Sequence, residues 1–330
     1  MDFHTKTDIT PWAYRLRHSD RLLVIGSCFA KHIGDRLDRM KIRTIVNPYG
    51  VLYNPQSIAE GLTRLTDQRP FTEEELRWHP DGGWNTWLHH SRYSHPDKHI
   101  ALTTINCHMK TAWQQLSEAD VLIITFGTAW VYHLKDTGDI VGNCHKEPDR
   151  FFVRKRLKVQ EIVETYTALL HRISNVNPRL KILFTVSPVR HLKDGLHGNQ
   201  LSKSTLLLAV DELCSIFPEQ CHYFPAYEIV VDELRDYRFY AEDMAHPSMQ
   251  AVSYVWEHFV EHCIDPEAQQ FIQQWEKIIQ ALEHRPFQPD SAKYKLFVQQ
   301  TAEKIGHIKK RYPYIDVDEE INRCQQLTGP

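Results

Sequence analysis

Five short apolar runs, RLLVIG (21–26), KIRTIVN (41–47), VLIITFG (121–127), KILFTVS (181–187) and HYFPA (222–226), are separated by segments of helical period. Strands divided in this way cannot pair through tight hairpins. They predict a five-stranded parallel sheet covered by helices on both faces. The first intervening helix shows its buried stripe as Phe29, Ile33, Leu37 and Met40. Further helices are expected at 98–116, 159–174 and 200–217, and another after Pro247, placed at its first helical position, with Val252, Val255, Trp256, Phe259 and Val260 inward. Two regions break the alternation. Residues 66–97, with WHPDGGWNTWLHHSRYSHPD, read as an irregular insertion or small hairpin lying over one end of the sheet like a lid. Beyond residue 265 the strands cease, and 267–283 and 291–311 read as amphipathic helices. The expected organisation is one α/β domain over 1–265 and a C-terminal helical extension over 266–330.

Composition narrows the function classes. With 39 Lys and Arg against 42 Asp and Glu, the chain lacks the electrostatic footprint of a nucleic-acid or anionic-membrane binder. No run of apolar residues is long enough to span a bilayer, and MDFHTKTDITPWAYRLRHSD lacks the apolar core of a secretory signal. Seven cysteines with no CxxC pair suggest reduced thiols, so a cytoplasmic location is expected. No GxGxxG or GxxxxGK[ST] loop is present, no cofactor is called for, and nothing in the sequence encodes an oligomeric state.

In an open parallel sheet, ligands bind beyond the carboxyl ends of the strands. The loops there are GSCFA, NPYGVLYN, GTAWVY and SPVRH, with AEDMAHPS arriving before the last helix of the domain. A sharp turn at Gly26 puts Ser27 and Cys28 at a helix N-terminus. Free amides and the helix dipole there can hold an oxyanion and lower a thiol's pKa. Asp243 and His246 are three residues apart, the spacing for a carboxylate to orient an imidazole towards a nucleophile. The bland alternatives are a capping serine beside a buried thiol, and an acid and a histidine that merely cap a helix. Arg190 and His191 are placed to meet a substrate oxygen or anion, or else to form a loop salt bridge. Cys144 and His145 of NCHK, with His79, His89, His90 and His95, fit no zinc spacing, so no metal site is predicted and these histidines are expected to be structural or substrate-binding. Trp78, Trp84 and Trp87 suit the core of a small hairpin, and RKRLK (154–158) a solvated helix start.

IGSCFAK resembles the strand-turn-helix block of the SGNH (GDSL-like) hydrolases, and DMAHP resembles their D-x-x-H-P block. More narrowly, GSCFA, NPYGVLYNP, TFGTAWVY, NCHK, SPVRH and the D-x-x-H around His246 look like the bacterial GSCFA-domain family within that superfamily, over roughly residues 15–262. The resemblance implies a three-layer α/β/α, flavodoxin-like fold and acyl transfer through a covalent acyl-enzyme. It puts Cys28 where the superfamily has its attacking serine and Ser27 where it has an aspartate, with Ser27 as the alternative nucleophile. His246 would be base and acid, and Asp243 its orienter. Gly50 resembles the oxyanion-hole glycine. Where the family pattern has an asparagine, this chain has Gly127 and Thr128, so the third donor falls to Thr128, Asn143 or Asn47. His90, His145, Arg190 and His191 remain for the substrate. The implied substrate is a small acylated molecule such as an O-acetylated carbohydrate. The rival from another class is a non-catalytic domain that binds carbohydrate or protein.

Overall fold

The computed structural model describes residues 5–328. Its centre is a five-stranded sheet, all parallel, formed by β1 (Arg21–Gly26), β2 (Arg43–Val46), β5 (Val121–Phe126), β9 (Lys181–Val186) and β10 (Cys221–Tyr223), in the spatial order β2-β1-β5-β9-β10. Numbered along the chain, this is the 2-1-3-4-5 order of flavodoxin-like folds. The strands are continuous apolar runs because both faces are covered. Leu23, Ile25, Leu122, Ile124 and Phe184 face α2 (Pro55–Thr66), α3 (Lys98–Glu118), α4 (Val159–Val176) and α5 (Gly195–Ile216). Leu22, Val24, Val121 and Ile123 face α1 (Cys28–Arg39) and α7 (Met249–Cys263). Side chains alternate across the sheet with the period of two that strands impose, and the result is a three-layer α/β/α fold.

The predicted stripe Phe29, Ile33, Leu37 and Met40 is buried. The helix after Pro247 starts later than expected: Ser248 is the N-cap, its hydroxyl accepting from the Ala251 amide at 3.2 Å, while Pro247 lies outside, bridged to Tyr240. The insertion contains a short hairpin, β3 (Arg77–His79) and β4 (Gly83–Asn85). Two elements within residues 47–158 have no counterpart in the sequence reading. One is α2, capped by Asn54, whose side chain accepts from the Ser57 amide at 2.8 Å. The other is a three-stranded antiparallel sheet of β6 (Trp130–Leu134), β7 (Ile140–Val141) and β8 (Phe152–Arg156). RKRLK therefore belongs mostly to β8, not to a helix start. Its side chains alternate in burial, and Arg154 pairs with Asp194.

After a single turn, α6 (Ala226–Glu228), and α7, the chain adds α8 (Pro266–Glu283), α9 (Ala292–Arg311) and α10 (Asp318–Thr328). These C-terminal helices share one continuous apolar core with α1 and α7. Trp275 is fully buried, stacks on Phe271, and donates its indole N–H to the Arg39 carbonyl at 3.0 Å. All seven cysteines are free thiols. Among the described residues, no helix is long and apolar enough to cross a membrane. Because the extension covers the α1 layer, Trp275→Ala is expected to destabilise the whole domain by about 3–5 kcal/mol in urea unfolding. A loss below about 1 kcal/mol would mean that the extension packs independently.

Candidate active site at the carboxyl edge of the sheet

Gly26 ends β1 with φ +146°, and a Cβ there would lie 2.3 Å from the Thr125 carbonyl oxygen. Only glycine lets β1 and β5 approach so closely while the chain turns into α1. The Gly26 amide donates to Asn47 Oδ1 at 2.8 Å, and its carbonyl accepts from Leu52 N–H at 3.0 Å. Asn47, buried and left-handed at φ 48°, thus ties the second loop to the first. Gly50, at φ +82°, donates its own amide to the Asn47 carbonyl at 2.8 Å, and a Cβ on it would lie 2.2 Å from His90 Cβ. His90 is exposed beside this glycine, its Nδ1 accepting from the Arg92 amide.

Ser27 is the N-cap of α1 and is 1% exposed; its hydroxyl has no partner among the described residues, and its amide donates to the Thr125 carbonyl. Cys28, the first helical residue, is partly exposed. Burial pushes the thiol's pKa up, by more than the first amides of α1, those of Phe29 and Cys28, pull it down. The helix start therefore does not by itself yield the low thiol pKa expected from the sequence. The charges that act on the sulfur are Lys203, favouring the thiolate, and Asp243, opposing it.

Asp243 sits in a tight turn with Met244 in the left-handed region. Its Oδ1 accepts from the amides of Ala245 (3.0 Å) and His246 (2.9 Å), and its Oδ2 accepts from His246 Nδ1 at 2.6 Å. These bonds hold the carboxyl down at about 2. Imidazole Nε2 has no hydrogen-bond partner among the described residues, and both side chains are about half exposed. The turn is fastened to the neighbouring loop by Arg190 N–H to Ala245 O at 3.0 Å. The Arg190 guanidinium lies over the Tyr240 ring at 4.0 Å and over Tyr237 at 5.1 Å rather than in a salt bridge. The Cβ position of Gly127 lies 3.4 Å from Ser27 Cβ and 3.5 Å from His191 Nε2, so with the Arg190–Ala245 bond the first, third, fourth and last loops meet at one edge.

The family model described as "GSCFA family" matches residues 21–259, and the one described as "GSCFA domain protein, C-terminal domain" matches residues 275–328. The chain belongs to the GSCFA family. No curated protein matches it significantly. Among solved structures, it is similar to an acetyl xylan esterase from the rumen bacterium Butyrivibrio proteoclasticus, at 14% identity and a TM-score of 0.27, over 43% of this chain and 36% of the esterase.

In this GSCFA protein the other predicted residues divide into two groups. Gly127 and Thr128 lie at the site, but their amides both donate to the Tyr53 carbonyl (2.7 and 2.9 Å). The Thr128 hydroxyl is engaged with Ser202 at 3.1 Å and accepts from Trp130 N–H at 3.2 Å, so its hydrogen bonding is already spent on the fold. His191 packs edge-on to Tyr53 and against Gly127; burial holds its pKa down at about 4. Asn143 and His145 instead fasten the insertion to the small sheet. Asn143 N–H donates to Trp87 O, and the His145 ring is held between the Ser91 hydroxyl and the Thr86 carbonyl.

Two residues at the site have no counterpart in the sequence reading. Tyr53 supplies the carbonyl that organises the third loop. Lys203, 1% exposed, lies under that loop with its ammonium on the carbonyls of Gly127 and Ser187, both at 2.6 Å. Its signal is a lysine on the buried stripe of α5, in line with Asn199, Leu206, Val210 and Leu213. Potential metal donors gather elsewhere: among the described residues, one group, His258, Glu261 and His262, has ligand atoms within 4.8 Å of one another. It occupies the last turns of α7, next to the Leu16–Ile264 bridge that precedes β1 and so at the opposite edge of the sheet from Cys28.

His89 is enclosed by the rings of Tyr49, Phe71 and Tyr93 and held down to about 3 by burial. It binds a proton less readily folded than unfolded, so its contribution to stability is full above its ordinary value of 6.5 and falls as pH drops below it. Stability should therefore decline from about pH 6.5 to about pH 3, and His89→Phe should flatten that decline by up to about 1.4 kcal/mol per pH unit in urea melts. Parallel pH profiles for the two proteins would contradict a neutral buried His89.

Proposed function

We propose that this GSCFA protein is a thiol-dependent acyl-ester hydrolase, or an acyltransferase by the same covalent route, acting on small acylated molecules such as O-acetylated carbohydrates. The supporting observation is the Asp243–His246 pair with a free Nε2, in a loop whose carboxylate acts on Cys28 at the start of α1. In this mechanism His246 Nε2 takes the Cys28 proton as sulfur attacks the acyl carbon. The carbonyl oxygen becomes an oxyanion, to which the first amides of α1, those of Cys28 and Phe29, would donate. Collapse breaks the ester bond, and the leaving alcohol takes the proton from His246. Water, or an acceptor hydroxyl, then gives its proton to His246 and attacks the thioester, which restores the thiol. Asp243, a carboxylate at all working pH values, fixes the imidazole tautomer.

A non-catalytic binding domain is the second reading, favoured by the upward push of burial on the Cys28 thiol and by the committed Thr128 hydroxyl. Turnover of p-nitrophenyl acetate separates the two. Cys28→Ala and His246→Ala should each lower kcat/KM by about 10²-fold or more, while Ser27→Ala retains activity. Equal turnover in wild type and His246→Ala would refute the mechanism, and loss in Ser27→Ala with retention in Cys28→Ala would move the nucleophile.

A further inference from the structure

The last turns of α7 carry a side-chain cluster that the acyl chemistry does not use. In the stretch HFVEH (258–262), His262 follows His258 by four residues and Glu261 follows it by three, so the three lie on one flank of the helix. Phe259 and Cys263 are buried and give the other face to the core. The two imidazoles lie nearly parallel, 19° apart with centroids at 5.8 Å, and one donor atom from each of the three residues falls within 4.8 Å of the others.

Hydrogen bonding decides which ring nitrogens are bare. His262 Nδ1 is 2.9 Å from the His258 carbonyl oxygen, which can only accept, so Nδ1 carries the proton and Nε2 keeps its lone pair. His258 Nε2 faces Glu233 Oε1 at 3.5 Å, and that carboxylate is 1% exposed and anchored by the Tyr254 hydroxyl and by the Thr7 amide at 3.0 Å. Glu233 thus draws the His258 proton to Nε2. The other nitrogen, Nδ1, is buried with no hydrogen-bond partner among the described residues. An oxygen acceptor behind each imidazole and an unused lone pair in front is the arrangement of metal-binding histidines.

We propose that His258, Glu261 and His262 form a binding site for one divalent ion of the zinc class, with Glu233 as the positioning residue behind His258. Two neutral imidazoles and one carboxylate suit zinc, cobalt or nickel, whereas magnesium and calcium take oxygen ligands. Donors in a tetrahedral zinc site are about 3.3 Å apart, a contraction that the exposed Glu261 side chain and a small ring rotation supply. Water takes the fourth position. The place of the site points to a structural role. The Arg15 guanidinium bonds the Glu261 carbonyl at 2.7 Å, Leu16 N–H the Cys263 carbonyl at 2.8 Å, and Gln269 Nε2 of α8 the Val260 carbonyl at 2.9 Å. The ion clamps the joint at which the α/β domain passes into the C-terminal helices.

Calorimetric titration of the metal-free full-length protein with zinc chloride should show one site per chain, at least about tenfold weaker in His262→Ala and in Glu233→Gln. Zinc should also raise the melting temperature of wild type but not of His262→Ala. Cobalt in place of zinc should give visible d–d absorption without the near-ultraviolet band of a cobalt–thiolate bond, which separates this site from the cysteines. No saturable binding by wild type, undiminished affinity in a His262→Ala protein that is folded by circular dichroism, or a thiolate band would each overturn the proposal. Should His262→Ala not fold, Glu261→Gln, changed at an exposed carboxylate, is read in the same way. None of these readouts involves ester turnover, so the outcome stands apart from that of the proposed function.

Discussion

The close approach of β1 to β5 at Gly26 is the constraint on which the rest of the site depends. A side chain there would meet the Thr125 carbonyl at 2.3 Å, so a glycine is needed for the first strand to turn at once into α1. The amide freed by that turn is taken by Asn47 Oδ1, and the backbone of Asn47 is in turn held to Val24 O and Gly50 N. One hydrogen-bonded unit therefore fixes the first two loops. The Tyr53 carbonyl, accepting from Gly127 and Thr128, extends it to the third, and Lys203 beneath Gly127 and Ser187 extends it to the fourth. Cys28 owes its position to this unit and not to packing of its own.

The electrostatics of that position are a balance between burial and local dipoles. At the start of α1, two amides favour a negative sulfur, but removing the thiol from water disfavours it more. The turn that carries His246 has the opposite character. Asp243 remains at the surface, saturated by two amides and an imidazole, and is a fixed charge over the whole useful pH range. Burial is thus the dominant influence on the Cys28 proton, and the nearby charges of Lys203 and Asp243 act on it in opposite senses.

Much of this was legible in the sequence. Continuous β-branched and leucine runs announced the buried parallel strands, and Phe29, Ile33, Leu37 and Met40 announced the covering face of α1. Three features escaped, each for a physical reason. Helix α2 begins at Asn54-Pro55, inside a stretch whose Pro, Gly and Asn residues read as loop, although Asn54 and Pro55 are its cap and first residue. Strands β6 to β8 are short and half-exposed, and mix Trp, Tyr, His and Arg with few aliphatic residues, so no apolar run marks them. Lys203 is charged on an otherwise apolar stripe, and its burial becomes intelligible only when the carbonyls of two strands distant in sequence are brought over it. The roles expected of Asn47 and Thr128 looked alike in sequence, since both are small polar groups after a strand. The fold uses Asn47 Oδ1 to hold the Gly26 amide and the Thr128 hydroxyl to hold α5 through Ser202.

The most direct test of the proposed chemistry is to look for the covalent intermediate itself. Wild-type protein quenched in acid during reaction with p-nitrophenyl acetate and digested should carry a single acetyl group on the peptide containing Cys28, labile to hydroxylamine as a thioester is. Acetylation confined to Ser27 or to surface lysines, with Cys28 unmodified throughout the reaction, would contradict the account.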